Sequence, residues 1–150
     1  MVRACFAALA LALLAACQTT PAGGYDAALA ARTGADEGGM RNYVLVILKT
    51  GPANVQGAER EEIFRGHFAN MKRMAEDGKL ITAGPFGTNE SQYRGLYLFA
   101  VSSVDEAQAL AASDPAVKAG IFVVETYPWY GSAALMEIPA LHKRLERPTP

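Results

Sequence analysis

His67 has the most chemistry to offer in this chain. A neutral imidazole with a pKa of about 6.5 can take or give a proton close to neutrality. A carboxylate beside it would orient the ring and stabilise its cation. Asp114 is the acid that chain order can bring to it. If two helices pack on one face of a sheet, His67 on the first can face the start of a second, short helix at Asp114. On spacing alone the plainer assignment is favoured, with Asp114 a helix N-cap and His67 a satisfied histidine at the core boundary.

Other chemistries are poorly served. His142 lies in Leu141-His142-Lys143-Arg144, a solvated basic stretch far along the chain from His67. There is no H-x-H, H-E-x-x-H or paired-cysteine spacing, so no metal site is expected. There is no G-x-S-x-G either, and Ser91, Ser102, Ser103, Ser113 and Ser132 all read as turn or cap residues. Phosphate-binding glycine loops are missing, and no cofactor is expected. A net charge of −1 over 150 residues offers no electrostatic surface for nucleic acid. Thr82 and Gly84 read as cleft-lining residues on one face of a strand. Gly84-Pro85 lets backbone approach a ligand closely. Arg94, beside a hairpin loop, is a cleft candidate for binding a carboxylate. Tyr43, Tyr97, Trp129 and Tyr130 read as core or interface residues.

These residues must be held by an α+β core. From Gly57 to Phe86 the chain reads as one helix, a tight Asp77-Gly78 turn and one strand. The helix is expected over Glu59–Asp77. At about 100° per residue, Phe64, Phe68, Met71 and Ala75 share its apolar face, with His67 at the edge. Before it, Asn42–Leu48 is a strand apolar on both faces. One face meets helices, and the other needs a cover, for which a second subunit is the obvious source. Strands Lys79–Pro85 and Gly95–Val101 follow, then a capping-box helix from Ser103 to about Ala112. A short helical turn restarts with Asp114 as N-cap and Pro115 at N1, and Ile121–Tyr127 is the last strand. The order is β-α-β-β-α-β, the ferredoxin-like arrangement. Residues 131–150 form a C-terminal extension that reads either as a short basic helix over Pro139–Arg147 or as a frayed tail.

The first residues carry an address. Arg3, the apolar run Ala4–Leu14 and then Leu14-Ala15-Ala16-Cys17 resemble a bacterial lipoprotein signal, cut before a cysteine that becomes lipidated. The apolar run is too short to span a bilayer. Residues 1–16 are therefore expected to be a signal peptide and Cys17 the membrane anchor. Cleavage would remove Cys5 and leave the domain without a thiol. Gln18, where inner-membrane retention calls for Asp, predicts the outer membrane, facing the periplasm. Residues 17–40, rich in Ala, Gly and small polar residues, read as a flexible tether.

A longer pattern joins these parts. His67, then Gly78-Lys-Leu-Ile-Thr-Ala-Gly-Pro85, then Ala112-Ser-Asp-Pro-Ala-Val-Lys-Ala-Gly120, then Tyr127-Pro-Trp129 resembles the YciI-like (YCII-related) family over roughly residues 41–130. The resemblance implies ferredoxin-like protomers paired as a dimeric α/β barrel. It also implies a cleft holding a histidine and an aspartate, which fall on His67 and Asp114. Some relatives carry a second acid two residues before that aspartate, where this chain has Ala112. A few relatives act on chlorinated aromatic diols, and the fold is shared with lactone isomerases and small monooxygenases. The resulting expectation is a lipid-anchored envelope homodimer with a small-molecule cleft. Two workings stay open. One is a cofactor-free acid/base lyase or isomerase on a small cyclic or aromatic compound, with His67 as acid/base and Asp114 orienting it. The other is a non-catalytic module that binds a small ligand or another protein.

Overall fold

The strand-forming runs lie down as one four-stranded sheet, and the computed structural model describes residues 24–147 around it. The expected signal peptide, residues 1–16, and the Cys17 anchor lie outside the described residues. In chain order the elements are α1 (Ala27–Thr33), β1 (Met40–Thr50), α2 (Gly57–Glu76), β2 (Leu80–Pro85) and β3 (Tyr93–Phe99). They continue with α3 (Val104–Ala112), α4 (Pro115–Lys118), β4 (Phe122–Ser132), a 3-10 turn over Ala133–Glu137, and α5 (Ile138–Lys143). The strands are antiparallel in the order β2-β3-β1-β4. Two β-α-β units interleaved in this way make the ferredoxin-like α+β fold. Among the described residues no helix is long and apolar enough to cross a membrane.

Period-2 alternation divides the sheet into two faces. On one, Val44, Val46, Leu48, Tyr97 and Phe99 are buried with Met74 of α2, Ala107 and Ala111 of α3, and Ala116 of α4. On the other, Tyr43, Ile81 and Leu98 form a second cluster with Leu135, Met136 and Ile138. The far face was expected to need a second subunit. Part of its cover comes instead from the chain's own 3-10 turn and the start of α5. The rest of that face, toward Val123 and Tyr127, is exposed.

Three expectations change. The run expected to be a flexible tether contains α1, capped by Asp26, which accepts from the Leu29 amide at 2.9 Å, and closed by Gly34 at φ 66°. Tertiary partners hold it. Thr33 is buried, Arg41 donates to the Thr33 carbonyl at 2.8 Å, and Arg32 pairs with Glu137 at 3.2 Å. Asp36 binds the Tyr130 hydroxyl. β4 runs on through Pro128-Trp129-Tyr130 to Ser132, because β1 begins early enough, at Met40, to pair with it. The core-facing stripe of α2 is centred on His67 and Met74, both buried, while Phe68 and Ala75 are exposed. His67 is therefore inside the stripe and not at its edge.

Candidate active site

The rotation of α2 follows from Gly66. A Cβ at that position would lie 3.0 Å from Pro115 Cγ, so the missing side chain lets α4 settle against α2. A second latch lies one turn on. Arg73 donates to Asn70 Oδ1 at 2.7 Å and reaches Ser113 Oγ at 3.5 Å, while the Ser113 hydroxyl gives its own proton to the Leu110 carbonyl at 2.6 Å. Between these two contacts α3 ends and α4 begins, and Asp114 sits at the joint with extended backbone. Pro115 at the first helical position needs no amide partner and is preset for the helix.

Asp114 is completely buried, and both of its oxygens are used. Oδ1 accepts from the Ala116 amide at 2.8 Å, the N-cap bond of α4. Oδ2 faces His67 Nδ1 at 2.7 Å and accepts from the Tyr97 hydroxyl at 2.6 Å. A carboxylate can only accept, so Nδ1 carries a proton, and in the neutral ring the lone pair is then on Nε2. Nε2 has no hydrogen-bond partner among the described residues. It is also not sealed off, since Arg41 Nε is the only enclosed side-chain nitrogen or oxygen without a partner there. Phe68, Phe64 and Phe122 surround the imidazole at centroid distances of 5.2, 5.5 and 5.7 Å. Arg60 lies over the Phe64 ring, 4.4 Å from its centroid.

Burial alone would raise the Asp114 carboxyl pKa. The hydrogen bonds from His67, Tyr97 and Ala116 outweigh it and hold the carboxyl below its usual range. Burial, and then the bond to Asp114, push the Tyr97 hydroxyl well above the usual phenol range, so it remains a donor. The arrangement is an ionised acid behind a protonated Nδ1, in an imidazole that has three aromatic rings around it. Chemically, that is a general base whose conjugate acid is stabilised from behind.

The fold thus brings His67 and Asp114 together. It does not bring Thr82 and Gly84 to them. Those residues pair with Leu98 and Leu96, on the far side of the sheet. The cause is a register shift between Leu80 and Thr82, which reverses the alternation after Leu80. Pro85 and Arg94 are exposed at the β2–β3 end. Tyr97, expected to be a core or interface residue, is buried in the core and also joins the pair through its hydroxyl. Nothing beside it in the chain marks it, and only its register opposite Val46 and Ala83 puts its hydroxyl under α4. Among the described residues no three His, Cys, Asp or Glu side chains converge as a metal site would require. An open cavity of about 410 Å³ exists elsewhere, near the start of β1, lined by Asp36, Arg41, Ser102, Glu106 and Tyr130 among others. It contains no part of the His67–Asp114 pair.

The model of the YCII-related domain matches residues 42–130, more than half of the chain. The chain belongs to the YCII-related domain family. His67, Tyr97 and Asp114 all fall inside this YCII-related segment. No curated protein matches the chain. Among solved structures, it is similar to 5-chloro-2-hydroxyhydroquinone dehydrochlorinase from Burkholderia phenoliruptrix, solved with 2,5-dihydroxybenzoquinone. The two are 23% identical with a TM-score of 0.45, over 58% of this chain and 92% of that one.

Proposed function

We propose that this YCII-related domain is a cofactor-independent acid/base enzyme, a lyase or isomerase, acting on a small cyclic or aromatic compound. His67 Nε2 takes the proton and later returns it, and Asp114 fixes the tautomer and stabilises the imidazolium. The observation that carries the reading is the 2.7 Å bond between His67 Nδ1 and a fully buried Asp114, with Nε2 left free. A wall of aromatic rings beside the imidazole suits a flat apolar substrate. Removal of a proton next to a carbonyl or a phenolic oxygen, followed by elimination or double-bond shift, needs only such a base.

The test is a screen of small phenols, chlorinated diols and lactones against the wild type and His67→Ala. Turnover by the wild type and its loss in His67→Ala supports the reading. Equal binding by both proteins, with turnover by neither, favours the non-catalytic module.

We further propose a homodimer joined through the exposed part of the far face. Val123, Tyr127 and Trp129 are large, apolar and exposed there. The Lys49–Glu125 pair beside them, at 2.8 Å, offers both signs of charge to a two-fold copy. Sedimentation of a monomer at micromolar concentration would exclude it. Anchoring by lipid on Cys17, in the outer membrane facing the periplasm, is proposed from Leu14-Ala15-Ala16-Cys17. Mass spectrometry of the protein made in a bacterial host should find acyl chains on Cys17, and an unmodified Met1 terminus would refute the assignment.

A further inference from the structure

Tyr97 does something that a His–Asp pairing does not contain. Its hydroxyl lies 2.6 Å from Asp114 Oδ2 and 3.4 Å from His67 Nδ1. The longer contact is at the limit of hydrogen bonding, so the phenolic proton goes to the carboxylate. The ring cannot swing away, being almost wholly buried against Phe99, 5.6 Å between centroids. Oδ2 therefore serves two donors while Oδ1 is occupied by the Ala116 amide. Two donors on one oxygen divide its charge between them.

We infer that Tyr97 is a positioning residue of this site. Its hydroxyl fixes the Asp114 carboxylate and draws charge from the oxygen facing His67, which weakens that oxygen's pull on a second ring proton. The inference rests on the acid/base reading of the same site. Without the tyrosine bond, the full charge of Oδ2 would face the ring and favour the imidazolium, which has no lone pair to offer. Charged side chains are also carried by α2 and α4, which pack around the pair. Arg73 reaches Ser113 Oγ at 3.5 Å, and Arg60 lies over Phe64. Neither bonds the carboxylate. α4 presents the Ala116 amide and, in its last turn, the exposed Lys118, which makes no bond to the carboxylate, and β4 presents the Phe122 ring.

The experiment is an NMR titration of the His67 ring nitrogens in the full chain, comparing wild type with Tyr97→Phe. The titration midpoint is expected to rise by roughly 0.5–1 unit, the equivalent of losing part of one charge-assisted hydrogen bond. An unchanged or lowered midpoint, in a variant with an otherwise native amide spectrum, overturns the inference. Site-specific 3-fluorotyrosine at position 97 is a stronger donor of nearly the same shape and should lower the midpoint. This arm decides the matter if Tyr97→Phe does not fold, and a midpoint that stays put or rises overturns the inference. The readout is protonation and not turnover. A failed substrate search would leave this result standing, and a static midpoint would leave the acid/base reading standing.

Discussion

Replacing Asp114 by Asn separates two jobs that one carboxylate performs. Asn keeps an oxygen for the Ala116 amide but loses the charge that holds Nδ1 protonated. On any compound found to be turned over, Asp114→Asn is expected to lower kcat by on the order of 10³-fold or more, with KM little changed. Asp114→Ala also loses the helix cap, about 1 kcal/mol, and strands the buried His67 and Tyr97 donors at about 1–3 kcal/mol each. Urea denaturation should therefore rank wild type above Asn, and Asn above Ala. The same carboxylate sets an acid limit. Its folded pKa is lowered, because its hydrogen bonds outweigh the effect of burial. Such a group stabilises the fold fully above its unfolded pKa of about 3.9, and that contribution is lost as pH falls through the folded value. Thermal melts taken below about pH 4 should show a steeper drop in Tm for wild type than for Asp114→Asn.

At the scale of elements, two close approaches position the pair. Gly66→Ala gains helix propensity of about 1 kcal/mol, but its Cβ presses on Pro115 and shifts the helix that Asp114 caps. Stability is expected to change by less than about 1 kcal/mol, while turnover falls several-fold. Gly51→Ala meets a harder obstacle. Its Cβ would collide with the Gly120 carbonyl, where the β1–α2 loop bonds to the turn before β4. Backbone against backbone cannot relax cheaply, and chemical denaturation should show a loss of about 2–4 kcal/mol.

Much of this layer was legible in the sequence because its signals are local. Ser103 as N-cap with Glu106 three residues on, Asp114-Pro115 at a helix start, and Gly78 at φ 69° all stand where the residue types put them. The His67–Asp114 contact followed from the family resemblance more than from spacing. What stayed hidden depends on contacts between distant segments. The register shift after Leu80 sends Thr82 and Gly84 to the far face, although counting by twos from Leu80 keeps them on the near one. The packing of Gly66 on Pro115 turns α2 so that Phe68 faces outward. α1 is too short and too poor in large apolar residues to announce itself, and it is held by Arg41 and Glu137, with Asp36 just beyond it bonded to Tyr130.

At the scale of the whole molecule, the far face is divided between the chain's own C-terminal turn and open surface. Val123→Glu places a charge in the apolar surface of the proposed dimer. Sedimentation should show dissociation, with the fold unchanged by circular dichroism. Trp129 lies on this same face, stacked near Tyr43 with centroids 5.7 Å apart and packed over Gly131. It is the sole tryptophan in the chain and 42% exposed. Its emission therefore reports on the far face alone. A blue shift with rising concentration would signal that face being covered, whereas a compound arriving beside His67, across the sheet, should leave the spectrum still. The molecule carries its own fluorophore for self-association, optically silent toward the chemistry on its other side.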